Sequence, residues 1–264
     1  MDNIVRFFSK KRSWSNYKDG ILDYYLEPYL VKVSKLQRPI LIVDCFAGPG
    51  KFGDGSLGSP LIISNRLAEI SKRNIQVHGY FIESNNILYE QLEKNTSVLN
   101  IKKTVRNGCF RNYIDEIAYL AKTHTVFVYL DPIKPSDLLF DDLKAVYDNL
   151  RSGQSVETLI NLMSRNFLRG IWGNIKKFAL NKTILNNHPL VIDFNNIAGG
   201  PYWQHIVTDH TITQKDQIDL FAKEYTELLH RWFNWTIHYP VREKYSYQFP
   251  KYHLVFGSRS PDAV

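Results

Sequence analysis

The feature that most constrains the fold is an uninterrupted apolar run that ends in an acid and leads into a glycine-rich loop. Residues 39–44 read PILIVD, and residues 48–58 read GPGKFGDGSLG. A strand-length run with no polar residue before its last position is typical of a strand buried on both faces of a parallel sheet. A helix is predicted to follow, with Ser59 as its cap and Pro60 in its first turn.

Strand-length and helix-length segments alternate after this loop. Strands are predicted at 77–83, 104–107, 125–130 and 156–162, and helices at 59–73, 86–95, 112–122 and 136–150. Such alternation predicts an α/β sheet with parallel strands. Two β-rich runs, 235–241 and 252–258, close the chain and predict an antiparallel hairpin. Five parallel strands plus this hairpin describe a Rossmann-like methyltransferase sheet flanked by helices better than the six-stranded dinucleotide fold.

Two further segments complete the predicted organisation. Apolar residues at spacings of three and four predict a helix over 17–33, with a possible kink at Pro28. The alternation stops after Leu162, so 163–232 is predicted to be a mainly helical insertion that ends in a helix over 215–232. With 264 residues, we expect a single domain, 1–264, in which the insertion forms a cap and much of the substrate wall.

The net charge of the chain indicates which kind of binding partner to expect. The chain has 33 Lys and Arg against 26 Asp and Glu, a formal charge of +7. This surplus favours anionic partners such as RNA or DNA; the alternative is that the positive charge only keeps the protein soluble. Arg165, Arg169 and Lys176 recur at helical spacing and predict a basic stripe, and Lys18 belongs to a second basic group near the start. Either group could bind a phosphate backbone, and the alternative is an ordinary solvated helix face.

The sequence lacks the features of disulfide-stabilised, membrane-spanning, secreted and zinc-binding proteins. The two cysteines, Cys45 and Cys109, are too few for disulfide bonds to stabilise a chain of this size. No apolar run reaches the length of a membrane helix, and residues 1–14 have no apolar core of a signal peptide. Neither H-E-x-x-H nor C-x-x-C occurs, so no metal site is expected. We therefore expect a cytoplasmic protein with no membrane partner.

The glycine-rich loop admits several ligands. The run GPGKFG satisfies the G-x-G-x-x-G dinucleotide pattern, but the helix is predicted to start too late for Gly53 to pack against it. A Walker loop is absent, because Lys51 is followed by Phe52. S-adenosylmethionine fits better, since it has no phosphate and its cations favour the nearby Asp44; a plain turn without ligand is the alternative. The predicted cofactor-binding residues of this segment are Asp44, Phe46, Ala47, Gly48, Pro49 and Gly50.

The ends of the next two strands supply further candidates. Glu83, followed by Ser84, is placed to accept two ribose hydroxyls, although an isolated strand-end acid is often only solvated. Asn107, Gly108 and Cys109 follow the third strand, where an adenine would lie. Asn107 could bind the adenine edge and Gly108 could allow close backbone approach, and a plain turn is the alternative.

The fourth strand ends in Asp131 and Pro132, the predicted catalytic residues. The carboxylate would face the point of methyl transfer and accept a proton from the methyl acceptor. The segment resembles the D-P-P-Y motif of amino-methyltransferases, with Ile133 and Lys134 in place of the second proline and the aromatic residue. The alternative is that Asp131 caps the helix near Ser136 or binds water.

Taken together, these motifs resemble the three-Cys-motif partner protein (TcmP) family. The similar segments are 44–50 (DCFAGPG), 58–61 (GSPL), 81–83 (FIE), 130–132 (LDP) and 252–256 (YHLVF), with Tyr225 on a preceding helix. The resemblance implies a class I S-adenosylmethionine-dependent methyltransferase-like chain and a three-Cys, radical-SAM-like partner protein. Cys45 and the pair Ile133 and Lys134 depart from the family pattern. A catalytically inactive scaffolding subunit of that partner is the alternative function.

Overall fold

The computed structural model describes residues 6–150, 154–180, 183–244 and 246–260, which fall into two compact units. The first unit combines Met1–Asp131 with Asn149–Leu159, and the second combines Pro132–Asp148 with Ile160–Asp262. The expected single domain with an insertion at 163–232 stays a prediction.

The first unit alternates helices and strands. Its helices are α1 (Ser13–Ser34), α2 (Ser59–Ser71), α3 (Asn86–Ser97) and α4 (Ile114–Ala121). Its strands are β1 (Ile40–Asp44), β2 (Val77–Glu83), β3 (Lys102–Asn107), β4 (Thr125–Leu130) and the first part of β5 (Val156–Leu162). A short 3₁₀ turn, Phe110–Tyr113, precedes α4.

The strands of this unit lie in the order β3-β2-β1-β4-β5. Strand β1 pairs in parallel with β2 and β4, and Ile40 lies opposite both Val77 and Thr125. Every residue of β1, β2 and β4 is buried, as their uninterrupted apolar runs predict for strands covered on both faces. Because the strands are parallel and in register, their carboxyl ends meet at one edge.

The helix starts show one difference from expectation. Helix α2 is capped by Gly58, which has extended backbone and no side chain to bond the first turn, so Ser59 is the first helical residue rather than the cap. Helix α3 has a side-chain cap, because Asn85 accepts hydrogen bonds from the backbone N–H groups of Ile87 and Leu88. Helix α1 continues through Pro28 and buries one stripe of residues, which includes Leu22 and Leu26.

The second unit is mainly helical and ends in the predicted hairpin. Its helices are α5 (Phe140–Asp148), α6 (Ser164–Phe178), α7 (Pro189–Ala198), α8 (Trp203–Thr208) and α9 (Gln214–Leu228). Strands β6 (Ala179–Leu180) and β7 (Thr183–Ile184) form a minimal ribbon. Strands β8 (Trp235–Val241) and β9 (Tyr252–Ser258) pair antiparallel, with β9 next to the end of β5. The predicted fold class, parallel strands followed by an antiparallel hairpin and flanked by helices, is confirmed.

Aromatic packing and a buried polar link hold the second unit together. The rings of Phe167 on α6 and Phe221 on α9 stack 4.5 Å apart. The Ser164 hydroxyl and His253 Nδ1 lie 2.7 Å apart, which joins the start of α6 to β9, and His253 Nε2 lies 3.2 Å from Asp219 on α9. Within the described residues, no helix combines the length and apolar character that a membrane crossing requires.

Helix α7 ends at a glycine that tolerates no side chain. Gly199 has φ +80°, and a Cβ there would lie 2.4 Å from the ring of Phe140. We expect Gly199→Ala to lower the free energy of unfolding by roughly 2–4 kcal/mol, because it adds left-handed strain to overpacking. Gly173→Ala is the control, since a Cβ at that position within α6 meets no atom within 4 Å. Urea denaturation measures both, and equal stability of the two variants would contradict the expectation.

Candidate functional site at the glycine loop

Three acids stand where three neighbouring strands end. Asp44 is the last residue of β1, Glu83 is the last residue of β2, and Asp131 follows β4 directly. Parallel pairing brings these strand ends to the same edge of the sheet, which in open α/β sheets is the usual place for ligands. All three acids belong to the first unit.

The backbone after Asp44 divides its hydrogen bonds between two neighbouring strands. The N–H of Cys45 donates to Tyr129 O on β4 (3.0 Å), and the N–H of Ala47 donates to Ile82 O on β2 (2.9 Å). This switch turns the chain out of the sheet and into the glycine loop. Burial raises the pKa of the Cys45 thiol well above its usual range, so this side chain is a packing residue rather than a nucleophile.

Glu83 holds the base of the glycine loop. Its Oε2 accepts the backbone N–H of Gly48 (2.8 Å), and its Oε1 accepts the backbone N–H of Asn85 (2.7 Å). Burial raises the pKa of Glu83, whereas bonds from the N–H groups of Asn85, Gly48 and Ser84 lower it. Since an ionised carboxylate offers about four acceptor positions, the three N–H groups leave about one position for a ligand hydroxyl.

Asp44 is fully buried and carries an unused acceptor. Its Oδ1 accepts the N–H of Phe46 (3.2 Å), whereas its Oδ2 has no hydrogen-bond partner among the described residues. Burial raises the pKa of Asp44 to about 7, and interactions with the Ser59 hydroxyl and the Phe46 N–H oppose this rise. An unpartnered buried carboxylate oxygen is costly, which points to a ligand that supplies a donor or a positive charge.

The two glycines that open the loop are required by the chain itself. Gly48 has φ +62°, and a Cβ there would lie 2.9 Å from the ring of Phe8. Gly50 has φ +75°, and a Cβ there would lie 3.3 Å from Leu92 on α3. Side chains of this chain therefore lie close to the Cβ position of each glycine, and the predicted close approach of a cofactor to this backbone stays a prediction. Pro49 between them is buried, and its carbonyl accepts a bond from Asn95 Nδ2 (2.8 Å).

The third strand end forms a closed turn. The side chain of Asn107 donates to Asn86 Oδ1 (2.9 Å), which engages part of the amide predicted to bind an adenine. Gly108 has φ +135° and donates its N–H to Glu83 O (3.0 Å), so it ties this turn to β2. Cys109 is half-buried and caps the 3₁₀ turn that follows. The adenine role of these residues stays a prediction.

Lys18 lies against Asp131 rather than on an open surface. The Lys18 ammonium pairs with Asp131 Oδ2, and the two side chains are 12% and 16% exposed. Burial lowers the pKa of Lys18, but the carboxylates of Asp131, Asp19 and Asp44 outweigh it and raise the pKa overall. Lys18 is thus a charged residue of the strand-end site. The catalytic role of Asp131 stays a prediction, as does the alternative that it caps the following helix or binds water.

Sequence reasoning placed Lys11 in the basic group near the start of the chain and missed the buried pair that it forms with Asp19. Lys11 Nζ lies 2.6 Å from Asp19 Oδ2, with side chains 8% and 7% exposed. A signal was present: Asp19 lies on the stripe of α1 that also contains Ser15, Leu22 and Leu26, and an acid on an apolar stripe indicates a buried partner. The partner itself, 8 residues earlier in an irregular segment, had no such signal.

The remaining candidates belong to the second unit. Pro132, the predicted catalytic neighbour of Asp131, is buried. Arg169 and Lys176 are exposed on α6, as a basic stripe requires, whereas Arg165 is half-buried with its guanidinium 5.2 Å from the ring centre of Phe249. Their role in binding nucleic acid stays a prediction.

No family model matches the sequence, and a search of curated proteins finds no relative. Solved structures with a similar chain path include an S-adenosylmethionine complex of the O-methyltransferase TomG from Streptomyces achromogenes (11% identity, 98% of this chain and 91% of that chain, TM-score 0.42). They also include a Listeria monocytogenes protein provisionally assigned to the class I S-adenosylmethionine-dependent methyltransferases (11% identity, 94% of this chain and 61% of that chain, TM-score 0.44). This chain therefore spans less than two thirds of the Listeria chain's length.

The raised pKa of Asp44 makes stability depend on pH. The native state keeps the Asp44 proton up to about pH 7, whereas the unfolded state releases it near 3.8. The contribution of this carboxyl to stability is therefore complete below about pH 4 and is lost as the pH rises through 7. Between pH 4 and pH 8, we expect the free energy of unfolding of the wild type to fall by roughly 2–4 kcal/mol more than that of Asp44→Asn. Urea denaturation at both pH values measures this, with Asp115→Asn as an exposed control; parallel pH profiles would contradict the assignment.

Proposed function

We propose that the protein is an S-adenosylmethionine-dependent methyltransferase whose cofactor lies over the ends of β1, β2 and β4. The observation that carries the proposal is the buried Oδ2 of Asp44, which lacks a partner among the described residues. A carboxylate in this position favours a cationic ligand, and S-adenosylmethionine carries both an ammonium and a sulfonium. Around this point the carboxylates of Asp19, Asp44 and Asp131 face the ammonium groups of Lys11 and Lys18, so a ligand of net positive charge is favoured.

The bonding of the loop disfavours phosphate ligands. A dinucleotide or nucleotide site needs free backbone N–H groups at the first glycines. Here the N–H of Gly48 is already bonded to Glu83, and that carboxylate would repel a phosphate at the same place. A ribose, by contrast, donates hydroxyl protons, which the carboxylate of Glu83 can accept. These contacts favour a nucleoside without phosphates.

The catalytic proposal assigns separate roles to the charged side chains. The bound cofactor supplies an electrophilic methyl group on its sulfonium. Lys18 pairs with Asp131 and fixes the direction of its carboxylate. Asp131 is then placed to bind an acceptor N–H or O–H, to orient it for in-line attack and to take up its proton. Asp44 stabilises positive charge on the cofactor side of the site.

The partners and cell location are proposals of the same kind. The resemblance to the TcmP family suggests a three-Cys-motif, radical-SAM-like partner protein in the cytoplasm. The exposed Arg169 and Lys176 support an acidic or nucleic-acid acceptor, RNA or DNA. A second candidate function is an inactive scaffolding subunit of that partner. The ion pair between Lys18 and Asp131 favours this second function, because the Lys18 ammonium occupies one oxygen of the carboxylate that would bind the methyl acceptor.

Calorimetry with S-adenosylhomocysteine tests the cofactor assignment. We expect the wild type to bind and Glu83→Gln to weaken binding about tenfold or more, because an amide supplies one acceptor oxygen in place of two. The control is Glu90→Gln, which changes an exposed acid on α3. Thermal melts check that both variants are folded. No binding by the wild type at millimolar ligand would remove the cofactor proposal.

Transfer of tritiated methyl groups to separated RNA, DNA and protein fractions tests the activity and identifies the acceptor class. We expect Asp131→Asn to lower turnover by roughly tenfold to ten-thousandfold, which is the range of general acid–base contributions. Cofactor affinity and melting temperature should stay unchanged. Asp115→Asn is the exposed control. Normal turnover in Asp131→Asn would exclude a catalytic role, and no transfer by the wild type to any fraction would favour the scaffolding function.

A further inference from the structure

The segment before α1 lies along the glycine loop. We call residues 6–11 the N-terminal strap. The carbonyl of Phe8 accepts the N–H of Gly53 (2.9 Å), and the N–H of Lys11 donates to Asp54 Oδ2 (3.0 Å). Lys11 Nζ also donates to Leu57 O (2.6 Å). The strap is therefore bonded to the outer part of the loop at three positions.

The ring of Phe8 reaches the inner part of the loop. It fills the space where a Cβ of Gly48 would lie, and its centre is 5.5 Å from that of Phe52. On its other side, Gly48 donates its N–H to the carboxylate of Glu83. Gly48 is thus held between a ring from the strap and an acid from β2, which fixes both the position and the direction of its peptide.

Lys11 connects the strap to α1. Its ammonium pairs with Asp19, and the neighbouring Lys18 pairs with Asp131 at the end of β4. The strap, α1 and the strand-end acids are therefore joined through adjacent residues of one helix.

The internal bonds in the outer part of the loop are short-range: the N–H of Phe52 donates to Ser56 O (2.9 Å) and the N–H of Gly55 donates to Phe52 O (3.0 Å). Residues 51 and 57 form an isolated antiparallel bridge, and Gly53, Asp54 and Gly55 between them are exposed. A loop of this kind loses conformational entropy when it is ordered, and external contacts offset that loss before any ligand binds. The strap supplies such contacts.

We propose that the N-terminal strap is part of the cofactor site and that Phe8 is a positioning residue, which holds Gly48 and the glycine loop in the conformation that binds the cofactor. The inference rests on the proposed function, because it concerns the same site. Without the Phe8 ring, part of the binding energy is spent on ordering the loop, so affinity falls. A ring that merely blocked the cofactor would have the opposite effect on affinity.

The test combines calorimetry with S-adenosylhomocysteine and amide hydrogen exchange of the ligand-free protein. We expect Phe8→Ala to weaken binding about tenfold and to speed exchange at Gly53, whose N–H reports directly on the strap. Tyr119→Ala removes an aromatic ring that is 69% exposed on α4, outside the strap, and is the matched control. Phe8→Leu keeps much of the apolar contact and should recover most of the affinity.

The outcomes separate this inference from the cofactor proposal. Tighter binding by Phe8→Ala would make the ring a competitor of the cofactor and would overturn the inference. Faster exchange at Gly53 with unchanged affinity would also overturn it, because the strap would then be structural only. An equal loss of affinity in Tyr119→Ala would show that the loss does not come from the strap, which would also overturn the inference. A wild type that binds no ligand would overturn the cofactor proposal itself, and the inference with it.

Discussion

The carboxylate of Glu83 is the interaction on which the rest of the site depends. It is buried at the end of β2 and bonds backbone N–H groups on both sides, at Gly48 in the glycine loop and at Asn85 before α3. A buried carboxylate is tolerable because charge-assisted bonds from the backbone compensate its lost hydration. The same bonds use the donors that a phosphate would need. One acid thereby shapes the loop and, in the proposed function, disfavours phosphate ligands.

The other charges of the site are arranged in pairs, with one acid left over. Lys11 pairs with Asp19 and Lys18 pairs with Asp131, each pair largely withdrawn from solvent. Such pairs add little net stability, since desolvation offsets attraction, but breaking one leaves a buried charge uncompensated. They therefore fix the position of α1 and the strap relative to the strand ends of the first unit. Asp44 is not part of either pair, and burial raises its pKa to about 7.

Most of the fold could be predicted because burial leaves a direct pattern in the sequence. Strands 77–83, 125–130, 156–162, 235–241 and 252–258 have the predicted bounds. Helix ends were less accurate: the segment predicted as one helix over 136–150 divides into a 3₁₀ turn at Pro135–Asp137 and a shorter α5. Local bonds such as that from the N–H of Lys134 to the carboxylate of Asp137 decide these boundaries, and they leave no periodic signal.

The sequence by itself determined the class of the fold and the acids at the strand ends, because hydrophobic periodicity and chain direction suffice to place Asp44, Glu83 and Asp131 at one edge. Only the tertiary structure decided what those acids contact. Phe8 on Gly48, Lys11 with Asp19, and Lys18 with Asp131 join residues that are 40, 8 and 113 positions apart in the sequence. Contacts of this kind depend on how irregular segments pack, and the charge or apolar character of a residue does not name its partner. The physical reason is that periodicity reports which face of an element is buried, whereas the partner across that face is set by three-dimensional packing.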